Sequence, residues 1–167
     1  VNNVGVVMPA LLEDTSLEDF DALMALNVRC AIQCTQAVAP AMRQRGMGRI
    51  VNIASRAALG KAPRTNYSAS KAALIGLTRT WSLELAADGI TANCICPGPI
   101  ATELYNIANP PDDPRTIASL ATIPAGRIGT PEDIAQAAAF FLDADSGFIN
   151  GQTLYVCGAS SVGRSGV

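Results

Sequence analysis

Two runs in this chain read as strands: Arg49-Ile50-Val51-Asn52-Ile53-Ala54, short and buried, and Ile90-Thr91-Ala92-Asn93-Cys94-Ile95-Cys96. Between them lies a long apolar-periodic stretch from Tyr67 to about Ala87, with Gly89 as its stop. Short apolar runs bounded by turns suit buried strands, and the periodic stretch suits a helix. A strand, a helix and another strand in that order form a parallel crossover unit, which is right-handed in nearly all sheets.

The rest of the chain keeps the alternation. Val1 to Val7 reads as the end of a buried strand running into a loop. Thr15-Ser16-Leu17-Glu18 is a capping box. It opens a helix expected to reach about Arg45, where Gly46 and Gly48 stop it; Pro40 is expected to kink or break it. Residues 106–116, rich in Pro and Asp, read as irregular. Thr130-Pro131-Glu132-Asp133 supplies an N-cap, a first-turn Pro and early acids for a helix to about Leu142. Gln152 to Cys157 reads as a last strand, and 159–167 as a disordered tail. About four strands are expected, in an α/β fold with a parallel sheet.

Composition sets the class. Hydrophobic residues make up 49% and charged residues 16% of the 167, which fits one domain with a proper core. Net charge is -2 and no basic cluster stands out, so neither nucleic acid nor an anionic membrane surface is an expected partner. No apolar run has the length of a membrane span. No signal peptide is visible, and the first residue is Val. Cys30, Cys34, Cys94, Cys96 and Cys157 form no Cys-x-x-Cys pair, and there is no His. Small packing residues in a reducing cytoplasm are therefore expected rather than a disulfide framework or a metal site.

The chemistry concentrates in Asn66-Tyr67-Ser68-Ala69-Ser70-Lys71. On a helix, Tyr67 and Lys71 lie one turn apart on one face. A cation there is expected to lower the phenol's pKa toward useful acid–base chemistry. Ser55 follows directly on a strand, and Asn27 lies within the preceding helix. In a parallel sheet these residues can converge at one rim, where ligands of such sheets bind.

These pieces resemble the short-chain dehydrogenase/reductase family. The matching segments run in the family's order: Asn2-Asn3-Val4-Gly5, Leu26-Asn27-Val28, Ile50 to Ser55, Tyr67 to Lys71, Pro97-Gly98-Pro99-Ile100-Ala101-Thr102, Gly126-Arg127, Pro131 to Ala135 and Gly151-Gln152. The resemblance implies a Rossmann-like doubly wound parallel sheet. It also implies NAD- or NADP-dependent interconversion of a carbonyl and a secondary alcohol. Tyr67 would be the acid–base. Lys71 would tune it and hold the nicotinamide ribose, Ser55 would bond the substrate oxygen, and Asn27 would support a water beside Lys71. Asn3 and Gly5 would approach the cofactor or brace the sheet centre. Pro97, Gly98, Ile100 and Thr102 would line the nicotinamide side.

The same resemblance divides the chain into a catalytic core (1–105), a substrate lid (106–125), a C-terminal helix and strand (126–158) and the tail (159–167). It implies a homo-oligomer, dimer or tetramer, in the cytoplasm. The family's Gly-rich phosphate turn has no counterpart, since no Gly-x-Gly-x-x-Gly occurs. The expectation is that three N-terminal strand–helix units, roughly 90 residues, are missing from this chain. The isolated chain is accordingly expected to bind no dinucleotide tightly. Two other readings stay open. One is a non-catalytic relative acting as an oligomerisation or binding module. The other is an acyl-transfer enzyme using Ser68 of Ser68-Ala69-Ser70-Lys71, a Ser-x-x-Lys match without its companion motifs.

Overall fold

A computed structural model describes residues 1–110 and 112–162. Among these residues the sheet has three strands, β1 (Gly48–Ile53), β2 (Ile90–Pro97) and β3 (Thr153–Val156), all parallel in the order β1-β2-β3. Ile53 pairs with Ile95, and Cys96 with Tyr155, so the C-terminal ends of the strands share one rim.

Side chains alternate across β2 with period two, as pleating requires. Ile90, Ala92, Cys94 and Cys96 join Leu74, Trp81 and Leu85 in a core on one face. Those last three belong to, or directly follow, α3 (Thr65–Glu84). Ile95, with Val51 and Ile53 of β1, packs on the other face against Phe141 of the helix over Pro131–Leu142. Helices on both faces explain why the strands read as unbroken apolar runs.

Asn52 interrupts β1 in sequence and is fully buried. Its Oδ1 accepts from Asn2 Nδ2 (2.8 Å), and its Nδ2 donates to Thr78 Oγ1 (2.9 Å), which in turn donates to the Leu74 carbonyl. This chain of bonds ties the N-terminal segment through β1 to α3. Asn52→Ala removes a partner from the part-buried Asn2 and from the fully buried Thr78 hydroxyl. The expected cost is about 1–3 kcal/mol, measured as a lowered denaturant midpoint.

Several expectations change. Val1 to Val7 contributes only a bridge at Asn2, which donates to the Val51 carbonyl and accepts from Ile53 N–H. Val1 and Val4 are exposed rather than buried, because this segment meets the sheet on one side only among the described residues. The sheet therefore has three strands plus a bridge instead of four strands. The first helix is capped by Ser16, whose hydroxyl accepts from Asp19 N–H; Thr15 instead donates to the Leu11 carbonyl, so the capping box is absent.

That helix runs as α1 (Leu17–Met24), a π turn (Ala25–Arg29) and α2 (Cys30–Arg45). Pro40 sits inside α2 without breaking it. Both Pro40 and Gln36, whose carbonyl loses its donor, are on the exposed face, where that carbonyl is open to solvent.

Residues 106–116 are less irregular than their composition implies. Thr102 caps α4 (Glu103–Ala108) by accepting from Tyr105 N–H. Asp113 caps α5 (Pro114–Leu120), with Pro114 in its first turn. The Pro and Asp residues thus start a helix as well as interrupt one. α6 (Pro131–Leu142) has the expected N-terminus, completed by a capping box between Thr130 and Asp133. Residues 159–162 form turns, with Ser160 N–H on the Cys157 carbonyl; the remainder of the tail, 163–167, lies outside the described residues. Among the described residues no helix is long and apolar enough to cross a membrane.

Candidate active site

The rim at the C-terminal end of β1 gathers the four residues singled out for catalysis. Ser55 leaves the strand in extended conformation and caps a 3-10 turn (Arg56–Leu59), accepting from Ala57 N–H at 3.1 Å. Tyr67 is the third residue of α3, and its N–H donates to Asn66 Oδ1 at 2.7 Å. Lys71, one turn on, is buried and turns back to the sheet, where Nζ donates to the Ile53 carbonyl at 3.0 Å. Its ammonium lies 5.7 Å from the centre of the Tyr67 ring. Ser55 is near enough to the Tyr67 phenol to favour its ionisation.

Asn27 sits in the π turn, a feature often found at functional sites, and is 1% exposed. Its Oδ1 accepts from Val6 N–H (2.8 Å) and its Nδ2 donates to the Val6 carbonyl (3.0 Å) and to Ser70 Oγ (3.1 Å). Ser70 in turn donates to the Tyr67 carbonyl at 2.8 Å. Ser70, fully buried inside the Tyr-x-x-x-Lys segment, therefore joins Asn27 to α3. The sequence offered a signal for it: a small polar residue one position before Lys71, on the face that meets the preceding helix.

The electrostatics differ from the sequence expectation. Burial pushes the Tyr67 phenol above its ordinary range, against the opposing pull of the Ser55 hydrogen bond and the Arg64 guanidinium. The Lys71 ammonium bonds the Ile53 carbonyl and lies beside the Tyr67 ring. Lys71 is itself pushed below the usual ammonium range by burial.

The residues expected to meet a cofactor spread along the same rim. Asn3 is exposed just after the Asn2 bridge. Gly5 backs onto the catalytic cluster: a Cβ there would lie 3.0 Å from Lys71 Nζ and 3.3 Å from Asn27 Oδ1. Pro97 ends β2. Gly98 packs so closely on Cys157 that a Cβ would come within 2.8 Å of its Cα, and its N–H donates to the Val156 carbonyl. Its small size thus has a packing cause. Ile100 bridges to Gly129, and Thr102 lies farther out as the α4 cap. A cavity of about 150 Å³ lies next to this turn, between Pro99–Ile100, Ile123–Gly129 and Val156–Gly158. Cys94, Cys96 and Cys157 are buried, and all five cysteines are free thiols.

The family described as Enoyl-(Acyl carrier protein) reductase matches residues 1–159. The chain belongs to the short-chain dehydrogenase/reductase family. Among its relatives is the (2S)-[(R)-hydroxy(phenyl)methyl]succinyl-CoA dehydrogenase subunit BbsD of Thauera aromatica, 44% identical over 162 residues, 97% of this chain and 64% of the relative. Another is the 3-oxoacyl-[acyl-carrier-protein] reductase FabG of Vibrio cholerae, 38% identical over 95% of this chain and 64% of the relative.

The fold of this short-chain dehydrogenase/reductase also matches a solved gluconate 5-dehydrogenase from Burkholderia cenocepacia in complex with NADP and tartrate. The TM-score is 0.90 at 37% identity, over 98% of this chain and 64% of that one. The chain thus spans 64% of the length of each of these proteins. The Rossmann-like α/β class with a parallel sheet is the observed fold.

Proposed function

We propose that this chain carries the acid–base site of an NAD(P)-dependent oxidoreductase interconverting a carbonyl and a secondary alcohol. The observation that carries the reading is the convergence of Asn27, Ser55, Tyr67 and Lys71 on one end of β1. Tyr67 protonates the substrate oxygen in reduction and takes the proton back in oxidation. Ser55, beside it, donates to the same oxygen as negative charge grows there. Lys71 has one N–H on the Ile53 carbonyl and two to spare. Asn27 holds the Val6 backbone and Ser70, so it positions Lys71 and Tyr67 and supports a water beside them.

The residues fit a dinucleotide. Gly5 keeps a cradle open over Lys71 that a single Cβ would begin to fill. Lys71 would hold the ribose hydroxyls, and Asn3, Gly5, Tyr67, Pro97, Gly98, Ile100 and Thr102 would line the rest. NAD or NADP, when bound, supplies or accepts the hydride. The NADP of the Burkholderia structure supports this assignment.

Residues 1–105 are the catalytic core of the proposal, 106–125 the substrate lid, 126–158 the C-terminal helix and strand, and 159–167 a tail. A cytoplasmic homo-oligomer, dimer or tetramer, belongs to the same reading. β3 is the edge of the sheet, and the nearby Leu154, Phe140 and Phe148 are exposed and apolar. The acyl-transfer alternative is not favoured, since the Lys71 ammonium bonds the Ile53 carbonyl rather than Ser68.

The test is a pH–rate profile with NADH and NADPH. Reduction needs the protonated phenol. Burial raises the Tyr67 pKa, so the reduction rate stays level through neutral pH and falls only on the alkaline side. Oxidation needs the phenolate, so its rate climbs with pH over the same range. Ser55→Ala removes a group that lowers the Tyr67 pKa, and shifts both limbs to higher pH. A reduction rate that collapses on passing through neutral pH, or limbs unmoved in that variant, counts against Tyr67 as the titrating group.

A further inference from the structure

Ser70 carries a fully buried hydroxyl that takes no part in the proton transfer proposed for Tyr67. A buried Ala would fill nearly the same space with no polar group to satisfy, so the oxygen is there for the bonds it makes. It makes two. Its hydroxyl donates to the Tyr67 carbonyl at 2.8 Å, and its oxygen accepts from Asn27 Nδ2 at 3.1 Å. The first bond is local: it runs three residues back on α3, to a carbonyl whose helical partner is the Lys71 N–H. Without it, Tyr67 and Lys71 are still held by the helix. The second bond is the one that reaches another segment, 43 residues away in the π turn.

Asn27 passes that hold to the N-terminal segment. Its other amide hydrogen is on the Val6 carbonyl (3.0 Å), and its Oδ1 accepts from Val6 N–H (2.8 Å). Residues 3–10 have no regular secondary structure. Among the described residues, Val6 is the only one of these eight whose backbone makes a hydrogen bond. Its neighbour Gly5 stands against the Lys71 ammonium, so close that a Cβ would lie 3.0 Å from Nζ. The run from Ser70 through Asn27 to Val6 therefore sets the gap between Gly5 and Lys71, which is the cradle assigned to the dinucleotide.

We propose that Ser70 is a positioning residue for the cofactor. It fixes the Asn27 amide, and through it holds Gly5 and Val6 at the distance from Lys71 that the ribose requires. Removing the hydroxyl leaves a buried amide hydrogen of Asn27 without its acceptor and loosens the grip on Val6. The loss falls on binding more than on proton transfer, because α3 keeps Tyr67 and Lys71 in register. The identity of the ligand rests on the oxidoreductase reading; the clamp is tested by binding, which needs no turnover.

NADH and NADPH are titrated calorimetrically into the complete polypeptide carrying these residues and into its S70A, S70T, N27A and S70A/N27A variants. S70A weakens binding of the dinucleotide that the parent prefers by about tenfold, the loss of one buried hydrogen bond. At saturating cofactor, kcat falls by less than the affinity does. S70T keeps the hydroxyl and restores most of the affinity. N27A weakens binding at least as much as S70A, and the double variant is no weaker than N27A, since the two residues act as one link. If circular dichroism shows S70A unfolded, S70C, close to it in size and a weaker acceptor, takes its place.

Equal affinity in the parent and S70A overturns the proposal. So do additive losses in the double variant, S70T binding no better than S70A, or a fall in kcat with affinity unchanged. A parent that binds neither dinucleotide overturns it as well. A failure of the oxidoreductase reading shows separately, as absence of turnover with carbonyl or alcohol substrates in a protein whose dinucleotide affinity still depends on Ser70.

Discussion

Tyr67→Phe abolishes turnover and leaves the fold intact. The substitution removes one oxygen, and two backbone hydrogen bonds that hold this residue in place remain. Its N–H is on Asn66 Oδ1 and its carbonyl accepts from Ser70. The ring stays against the Lys71 ammonium, which a Phe face also attracts. What disappears is the phenol hydroxyl assigned to carry a proton to the substrate oxygen. A positioned acid–base contributes roughly 10²- to 10⁴-fold, so the rate should fall by at least that much. Initial rates with either cofactor, set beside thermal melts of both proteins, decide the matter. Turnover near that of the parent would sink the assignment of Tyr67. It would also reopen the Ser68 reading, which predicts that loss of the phenol is harmless.

The sequence carried the large features because they rest on long-range patterns. The apolar runs around Val51 and Ile95 announced strands, and the spacing of Tyr67 and Lys71 placed both on one helix face. The details that fix the site's chemistry were not legible, and each has a local cause. The π turn around Asn27 is an insertion held by bonds to the Val6 backbone, which no spacing rule anticipates. Lys71 was expected to lower the phenol's pKa, but burial dominates and raises it, while the Ile53 carbonyl holds the ammonium. The Asn in β1 looked like a flaw in an apolar run until its partners, Asn2 and Thr78, came from 50 and 26 residues away.

Gly89→Ala is the most damaging small change expected at the opposite end of the sheet. Gly89 turns the chain into β2 with φ +71°, and Gly46 turns it toward β1 with φ +61°. Both residues are left-handed, so Ala at either position carries the same backbone penalty, about 1–2 kcal/mol. Their surroundings differ. A Cβ at Gly46 meets nothing within 4 Å, whereas a Cβ at Gly89 would overlap the carbonyl oxygen of Gly46 itself. That oxygen is backbone and cannot swing aside. The two turns would have to separate, and with them the start of the β1–β2 ladder, where Gly48 N–H donates to the Gly89 carbonyl.

Overpacking of this kind adds about 1–3 kcal/mol to the strain. Gly89→Ala should therefore lower the denaturant midpoint well beyond Gly46→Ala, and the difference between the two isolates the steric contribution. Equal losses would mean that backbone strain alone sets the cost and that the two turns are free to move apart. In that case the lower edge of the sheet would be far softer than the catalytic rim, where Asn27, Lys71 and Ser70 are cross-bonded to three separate segments of the chain.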